Sequence, residues 1–304
     1  RYLRRLVEEH FVDGWDDPRM PTLVGMRRRG YSAEAIKDFL ERVGVSKADS
    51  TVDEKLLEHC VREDLNGTAY RAMAVLDPLK VTITNWPEGE TMDVEMENHP
   101  DHPEWGTRVV KFGRELYIER EDFMEEPPKK FFRLAPGREV RLKGAYIIKC
   151  DEVVKDENGN VVELKCSADL DSKSGSEGAA RKVKGTLHWV AACDCADAEV
   201  RIYTQMLNLS EEEVEAAAES DELTDETVEV RPAKRDFTEM FNSGSKKVLT
   251  GVKCEKSLLN AKPGDKFQFL RMGYFCVDPD SREGAPVFNR VVALKDTWAK
   301  EAKK

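Results

Sequence analysis

The chain has 304 residues, of which 40% are hydrophobic and 35% are charged, and a formal net charge of −11. This composition describes an ordinary globular protein with room for two or three domains of roughly 100–200 residues each. No apolar run approaches the roughly 18 residues of a membrane span, and arginines interrupt the first apolar residues, so we expect a cytosolic protein without a signal peptide.

The negative charge is concentrated in one short stretch. Ten acidic residues and no Lys or Arg lie between Glu211 and Glu229, so the rest of the chain has a net charge of −1 (−11 + 10). Local basic surfaces can therefore exist elsewhere, and the net charge neither supports nor excludes an RNA partner. The stretch 210–229 itself predicts an exposed helix that begins after Ser210.

The seven cysteines indicate neither a metal site nor a redox pair. None of them has the C-x-x-C spacing of a structural zinc site, and Cys193 and Cys195 are not matched by a second close pair. We expect reduced thiols that act mostly as small core residues, and no metal ligands.

Residues 1 to about 73 predict a helical subdomain. Gly30 is positioned to end one helix, and Ser32 to cap the next, which ends at Gly44. The sequence Thr51–Glu54 has the form of a capping box and predicts the start of a further helix.

After Pro78 the hydrophobic period changes to the alternation of β-strands. Strands 145–154 and 161–166 predict a hairpin whose turn contains Asn158-Gly159. The other predicted strands are 81–84, 116–119, 140–143, 184–192, 200–206, 267–277 and 287–294. Many short strands and few helices predict a mainly β protein built from barrels.

Common catalytic signatures are absent from the sequence. It has no P-loop, no G-x-G-x-x-G after a strand, no G-x-S-x-G and no H-E-x-x-H. We therefore predict a binding module with no catalytic residues.

Basic and aromatic residues are interleaved in the predicted β region. The run Lys129–Arg133, with Lys130 and two phenylalanines, is followed by Arg138, Arg141 and Lys143. Single-stranded RNA suits such a surface, because its bases stack on rings and its phosphates bind cations. The alternative is that these cations are the solvent-facing residues of an ordinary strand.

Two further groups of polar residues fit the same hypothesis. Gln268 and Arg271, three residues apart, can both make bidentate contacts to base edges. Arg181–Lys184 forms another basic patch.

A resemblance to a known family strengthens this reading. The run Gly14–Thr22 (GWDDPRMPT), followed by Arg27–Tyr31 (RRRGY), resembles the segment after the second ATP-site signature of class I glutaminyl-tRNA synthetases. Further matches follow in order over nearly the whole chain except about 207–262: Arg62–Asn66, Arg71–Pro78, Asn98–Pro100, Glu139–Leu142, Arg181–Val190, Gly273–Cys276 and Val287–Arg290.

The resemblance implies an architecture for the chain. It implies an N-terminal helical subdomain, 1–73, followed by two β-barrels stacked end to end in a ribosomal-L25-like anticodon-binding domain. The proximal barrel would be discontinuous, comprising 74–117 and 191–304, and the distal barrel would comprise 118–190.

The resemblance also implies an activity for a longer parent enzyme, which would use ATP with Mg²⁺ to join glutamine to tRNA(Gln). The family's K-M-S-K-R signature would end at Arg1. We therefore expect the 304 residues to lack the ATP and amino-acid site, to hold no cofactor and to be inactive alone.

The resemblance implies roles for named residues. Asn66 and Arg71 match positions near the middle of the anticodon loop. Gln268 and Arg271 match the pair that reads the second and third anticodon bases. These four residues are expected to contact RNA.

The distal barrel would supply the remaining contacts. Arg133 and Lys143 match basic residues that meet the first anticodon base, and Lys130 occupies a position where glutamine can occur. Phe132 replaces a lysine that contacts a base in some members. Arg141 completes the predicted RNA-binding set.

Two other interpretations remain open. A glutamyl-tRNA synthetase of the archaeal or eukaryotic type shares the barrels and a similar W-D-D-P-R motif, although Met20 and the sequence RRRGY favour glutamine. A non-catalytic β-barrel scaffold could instead bind protein partners through 210–229. The expected partner is tRNA(Gln), bound by a monomer that contacts neither DNA nor membranes.

Overall fold

The computed structural model describes residues 2–44, 52–208 and 236–295. The helices of this part are α1 Tyr2–Glu8, α2 Leu23–Arg29, α3 Ala33–Val43 and α4 Glu54–Thr68. The strands are β1 Tyr70–Ala72, β2 Ala74–Val75, β3 Pro78–Ile83, β4 Thr91–Glu97, β5 Thr107–Gly113, β6 Glu115–Glu119, β7 Glu139–Leu142, β8 Ile147–Lys155, β9 Val161–Asp169, β10 Thr186–Leu187, β11 Val190–Ala191, β12 Cys195–Tyr203, β13 Lys246–Glu255, β14 Lys266–Phe269, β15 Gly273–Val277 and β16 Val287–Val292.

The helices begin and end close to their predicted signals. The Ser32 hydroxyl accepts the N–H of Ala35 at 3.1 Å, and Gly30 ends α2 with a left-handed φ of 114°. The N-cap of α4 is Asp53, whose carboxylate accepts the N–H of Lys55, while Thr51 lies outside the described residues. A short polar side chain at each start satisfies N–H groups that the first helical turn leaves unpaired.

Two curled seven-stranded sheets follow the helices and confirm the mainly β architecture. The proximal sheet has the order β1-β14-β15-β16-β12-β13-β2, and the distal sheet has the order β10-β7-β8-β9-β3-β6-β11. The predicted hairpin is present as β8 and β9, with Gly159 at a φ of 81° in the turn. A two-stranded ribbon of β4 and β5, which the sequence analysis did not predict, is also present.

Strand pairing divides the chain differently from the predicted domain bounds. The resemblance implies that 74–117 belongs to the proximal barrel, but β3 of this segment pairs with β6 and β9 and so lies in the distal sheet. The stretch 267–277, predicted as one strand, is the antiparallel hairpin of β14 and β15. The helix predicted for 210–229 lies outside the described residues. Which strands pair in a sheet depends on non-local contacts, so the alternation of hydrophobic residues in the sequence does not predict it.

Two buried carboxylates connect the sheets where the chain passes from one to the other. Glu119 of β6 accepts the N–H groups of Leu76 and Asp77 at 2.6 and 3.1 Å. Glu255 of β13 accepts the N–H of Met73 at 2.8 Å and also pairs with Arg108. Hydrogen bonds of this kind satisfy backbone groups that the change of sheet would otherwise leave unpaired inside the protein.

The helical subdomain packs against the proximal sheet. Tyr31 and Leu65 share an apolar cluster with Tyr274 and Val291. A Cβ on Gly30 would lie 2.5 Å from the Cβ of Cys276, so only glycine allows this close approach. The end of α4 is therefore held directly beside the hairpin of β14 and β15.

Candidate nucleic-acid interface

Three of the predicted RNA-binding residues meet where α4 ends. Strand β1 begins two residues after α4 and pairs in parallel with β14, which places Arg71 opposite Gln268. Asn66 lies in the last turn of α4. We call Asn66, Arg71, Gln268 and Tyr274 the Asn66 cluster.

A continuous hydrogen-bond network holds the Asn66 cluster. Arg71 donates to the carbonyl of Ala69 at 2.8 Å and to the carbonyl and side-chain oxygens of Asn66 at 2.8 and 3.2 Å. Gln268 donates to the Tyr274 hydroxyl at 2.9 Å, and that hydroxyl donates to Asn66 Oδ1 at 3.2 Å. Arg71 is only 7% exposed, and burial lowers the pKa of its guanidinium. The network therefore fixes these side chains, and both terminal nitrogens of Arg71 are used within it.

Two more predicted residues meet at the junction of the sheets. Asp122 is fully buried, and Arg271 forms a bidentate pair with it at 2.5 and 2.6 Å. Arg133 approaches the same carboxylate with its Nε at 3.4 Å. His188 also belongs to this group, because its Nδ1 lies 3.3 Å from Nη1 of Arg271. We call Asp122, Arg133, Arg271 and His188 the Asp122 cluster.

The backbone of Arg271 supports a positioned side chain. Its φ of 70° is left-handed, which costs a residue with a Cβ roughly 1–2 kcal/mol. Burial opposes the charge of the guanidinium, but hydrogen bonds to Asp122 outweigh it and raise the pKa of Arg271. The end-on pair with Asp122 leaves the Nε–H of Arg271 without a partner among the described residues.

One hairpin joins the two clusters. Gln268 lies on β14, and Arg271 lies in the turn between β14 and β15. The backbone N–H of Leu270 donates to the Ala72 carbonyl at 2.9 Å, which ties this turn to β1. Gln268 and Arg271 therefore lie on one hairpin, which connects the Asn66 cluster to the Asp122 cluster.

A basic groove of about 610 Å³ lies on the distal sheet next to Arg133. Phe132, 51% exposed, lies on its wall, and Lys184 Nζ is 5.0 Å from the centre of the Phe132 ring. We call this the distal groove; its lining includes Lys129, Phe131, Phe132, Arg133, Arg138, Glu139, Lys149 and Lys184. A ring and several cations in one concave surface can stack a base and bind its phosphates.

The other three predicted residues lie outside the two clusters and the lining of the groove. Arg141 donates to the carbonyls of Ser172, Ala179 and Arg181 at 2.8, 3.1 and 3.2 Å, so its guanidinium holds the loop before β10. Lys130 and Lys143 are exposed. Their contacts with RNA stay predictions.

Sequence reasoning missed Asp122 and Tyr274. Asp122 follows β6 in an acidic context that is typical of a surface turn. Tyr274 could have been placed opposite Gln268 if Gly273 had been interpreted as the start of a second strand. Both residues position the neighbours that the sequence analysis did select.

The described residues show no other type of site. Within them, no helix is long and apolar enough to cross a membrane. No group of three or more His, Cys, Asp or Glu side chains there could hold a metal ion.

Comparison with known proteins gives matches over nearly the whole chain. The family models for the anti-codon binding domain of tRNA synthetases class I (E and Q) match residues 69–169 and 186–278. The model for the catalytic domain of the same synthetases matches residues 1–67.

Individual relatives agree with the family models. A glutamine--tRNA ligase of Clostridium perfringens is 52% identical over 299 residues, which are 98% of this chain and 51% of the relative. One of Bradyrhizobium diazoefficiens is 48% identical over 304 residues, 100% of this chain and 51% of the relative. The chain thus spans about half the length of the curated relatives that it matches. It belongs to the class I tRNA synthetases of the E and Q group, and it carries their anticodon-binding domains.

Proposed function

We propose that this chain binds tRNA(Gln) and reads its anticodon, as part of a longer ligase that joins glutamine to that tRNA. The observation that carries the proposal is that Gln268 and Arg271 lie on one hairpin. Arg71 of β1 lies opposite Gln268, and Arg133 reaches the same carboxylate as Arg271, that of Asp122. The relatives described above are glutamine--tRNA ligases, which favours glutamine over the glutamate alternative.

The physical basis of recognition is the mismatch penalty. A donor fixed inside a cluster loses its partner when the wrong base is present, and an unpaired buried polar group costs about 1–3 kcal/mol. Gln268 and Arg271 offer such donors for the second and third anticodon bases, and Arg133 offers one for the first. Phe132 would stack a base in the distal groove.

The ATP- and Mg²⁺-dependent joining step is proposed only for the longer ligase. Residues 1–67 match the catalytic-domain model, yet those described within them form helices and provide no group of metal-binding side chains. We also propose that the protein is a cytoplasmic monomer without DNA or membrane partners.

Filter binding tests the proposal. The 304-residue chain is titrated with tRNA(Gln) and with the same tRNA altered at the central anticodon base. Reading of that base predicts binding weaker by about 1–3 kcal/mol for the altered tRNA. Equal affinity for both tRNAs would contradict anticodon reading and favour the protein-binding scaffold.

A further inference from the structure

His188 is a fully buried histidine at the junction of the two sheets. It lies between β10 and β11. Strand β11 pairs antiparallel with β6, and continuing their register by two residues brings His188 level with Glu119. The next residue, Trp189, is also buried and anchors this connection by donating its Nε1–H to the Lys143 carbonyl at 2.9 Å. The His188 ring must therefore find its hydrogen bonds inside the protein.

One ring nitrogen of His188 contacts Arg271. Nδ1 lies 3.3 Å from Nη1 of Arg271, the same nitrogen that donates to Asp122 at 2.5 Å. A guanidinium has no acceptor, so Nδ1 must accept this hydrogen bond, and the proton of the neutral ring lies on Nε2. Because Nη1 carries two hydrogens, Asp122 and His188 can hold it at the same time from different directions.

The other ring nitrogen faces Glu119 at a longer distance. Nε2 lies 3.5 Å from Oε1 of Glu119 and, within the part of the chain that the structure describes, is buried without a hydrogen-bond partner. That carboxylate oxygen already accepts the backbone N–H of Leu76 at 2.6 Å, where the chain passes between the sheets. A buried N–H that is bonded so poorly contributes little to stability, which favours a role for the ring beyond holding the fold together.

We propose that His188 is a positioning residue for Arg271 and thereby determines specificity at the third anticodon base. The carboxylate of Asp122 holds only one end of the guanidinium, and the contact from Nδ1 adds a second direction that restricts its tilt. The charge of Glu119 beside the Nε2–H polarises the ring and makes Nδ1 a stronger acceptor. This inference rests on the proposed function, because it takes Arg271 as a reader of the anticodon.

Two amide variants separate the two ring nitrogens. His188→Asn places its side-chain oxygen near the position of Nδ1 and keeps an acceptor for Arg271, whereas the amide of His188→Gln extends towards the position of Nε2 and loses that acceptor. Filter binding is measured with tRNA(Gln) and with forms altered at the second or the third anticodon base. The preference for the correct third base should fall about five- to tenfold in His188→Gln and be retained in His188→Asn. The preference at the second base should stay unchanged in both variants.

Two further variants keep the test independent of folding. His188→Leu removes the acceptor without burying a new amide, so it should show the same loss at the third base as His188→Gln. In a chain that already carries Arg271→Lys, His188→Gln should cause no further loss, because His188 acts only through Arg271. Thermal unfolding of every variant shows that the compared chains are folded.

The remaining outcomes overturn the proposal and identify what has failed. A lower melting temperature with an equal loss of affinity for all tRNAs would make His188 a purely structural residue. An unchanged third-base preference in folded His188→Gln or His188→Leu would exclude the positioning role and leave the proposed function intact. If the unaltered chain discriminates at neither base, the proposed function fails and the positioning role fails with it.

Discussion

The Asp122 cluster and the distal groove both offer cations to RNA but hold them differently. In the cluster, Arg271 is bound end-on to a fully buried carboxylate. In the groove, Lys149 is half exposed and its nearest carboxylate, that of Asp151, is 3.7 Å away. The Asp122 cluster restricts its guanidinium to one geometry, whereas the distal groove keeps a mobile, hydrated ammonium.

The difference indicates a division of labour. A guanidinium that cannot move rejects a base whose acceptors are misplaced, because no rearrangement restores the lost hydrogen bond. A mobile ammonium follows a phosphate wherever the backbone places it, so it adds affinity without sequence preference. The cluster should therefore determine specificity, and the groove should supply general binding.

The largest expected effect comes from breaking the cluster at its carboxylate. Asp122→Ala leaves Arg271 and Arg133 without their shared partner and should lower the free energy of unfolding by about 2–3 kcal/mol, which urea denaturation measures. Asp77→Ala is the control, because Asp77 pairs with Arg120 at 3.5 Å with both side chains largely exposed. The control should lose less than about 1 kcal/mol. Equal losses of unfolding free energy in the two variants would show that the buried pair stabilises the protein no more than an exposed pair does.

Arg271 itself tests specificity. Arg271→Lys keeps the positive charge but loses the bidentate geometry, so the preference for the correct anticodon should fall by about 2 kcal/mol. The measurement is filter binding of tRNA(Gln) and its anticodon variants. A uniform loss of affinity for all of these tRNAs would instead identify Arg271 as a phosphate contact.

Removing the Phe132 ring from the distal groove should have a smaller effect on tRNA affinity. The loss should depend little on which base occupies the first anticodon position. Lys184 approaches the Phe132 ring, which is nevertheless half exposed and can stack a base. Phe132→Ala should weaken binding by about 1 kcal/mol for every base at the first anticodon position. Phe132→Tyr, which keeps the ring, should bind normally. A loss confined to one base would indicate that the position reads sequence.

A groove lysine should have the smallest effect. Lys149→Ala removes one exposed charge and should cost less than about 1 kcal/mol at physiological salt. The salt slope should fall by about 1 in magnitude, while discrimination between anticodons is unchanged. Altered discrimination would contradict the proposed separation between cluster and groove.

The sequence alone determined the local structure and the family. Ser32 and Gly30 set helix ends because their side-chain oxygen and missing Cβ act within a few residues. Asn158-Gly159 defined a hairpin turn for the same local reason. Ordered motifs such as GWDDPRMPT indicate the glutaminyl-tRNA synthetase family, and the family comparisons agree.

Only the tertiary structure decided which side chains work together. Strand β3 lies in the distal sheet because it pairs with β6 and β9. The sequence did not predict this, since both partners are distant along the chain. Arg141 and Arg271 cannot be distinguished by residue type. In the structure Arg141 donates to three backbone carbonyls, whereas Arg271 pairs with a buried carboxylate. Burial and partners depend on long-range packing, and hydrophobic periodicity carries no record of them.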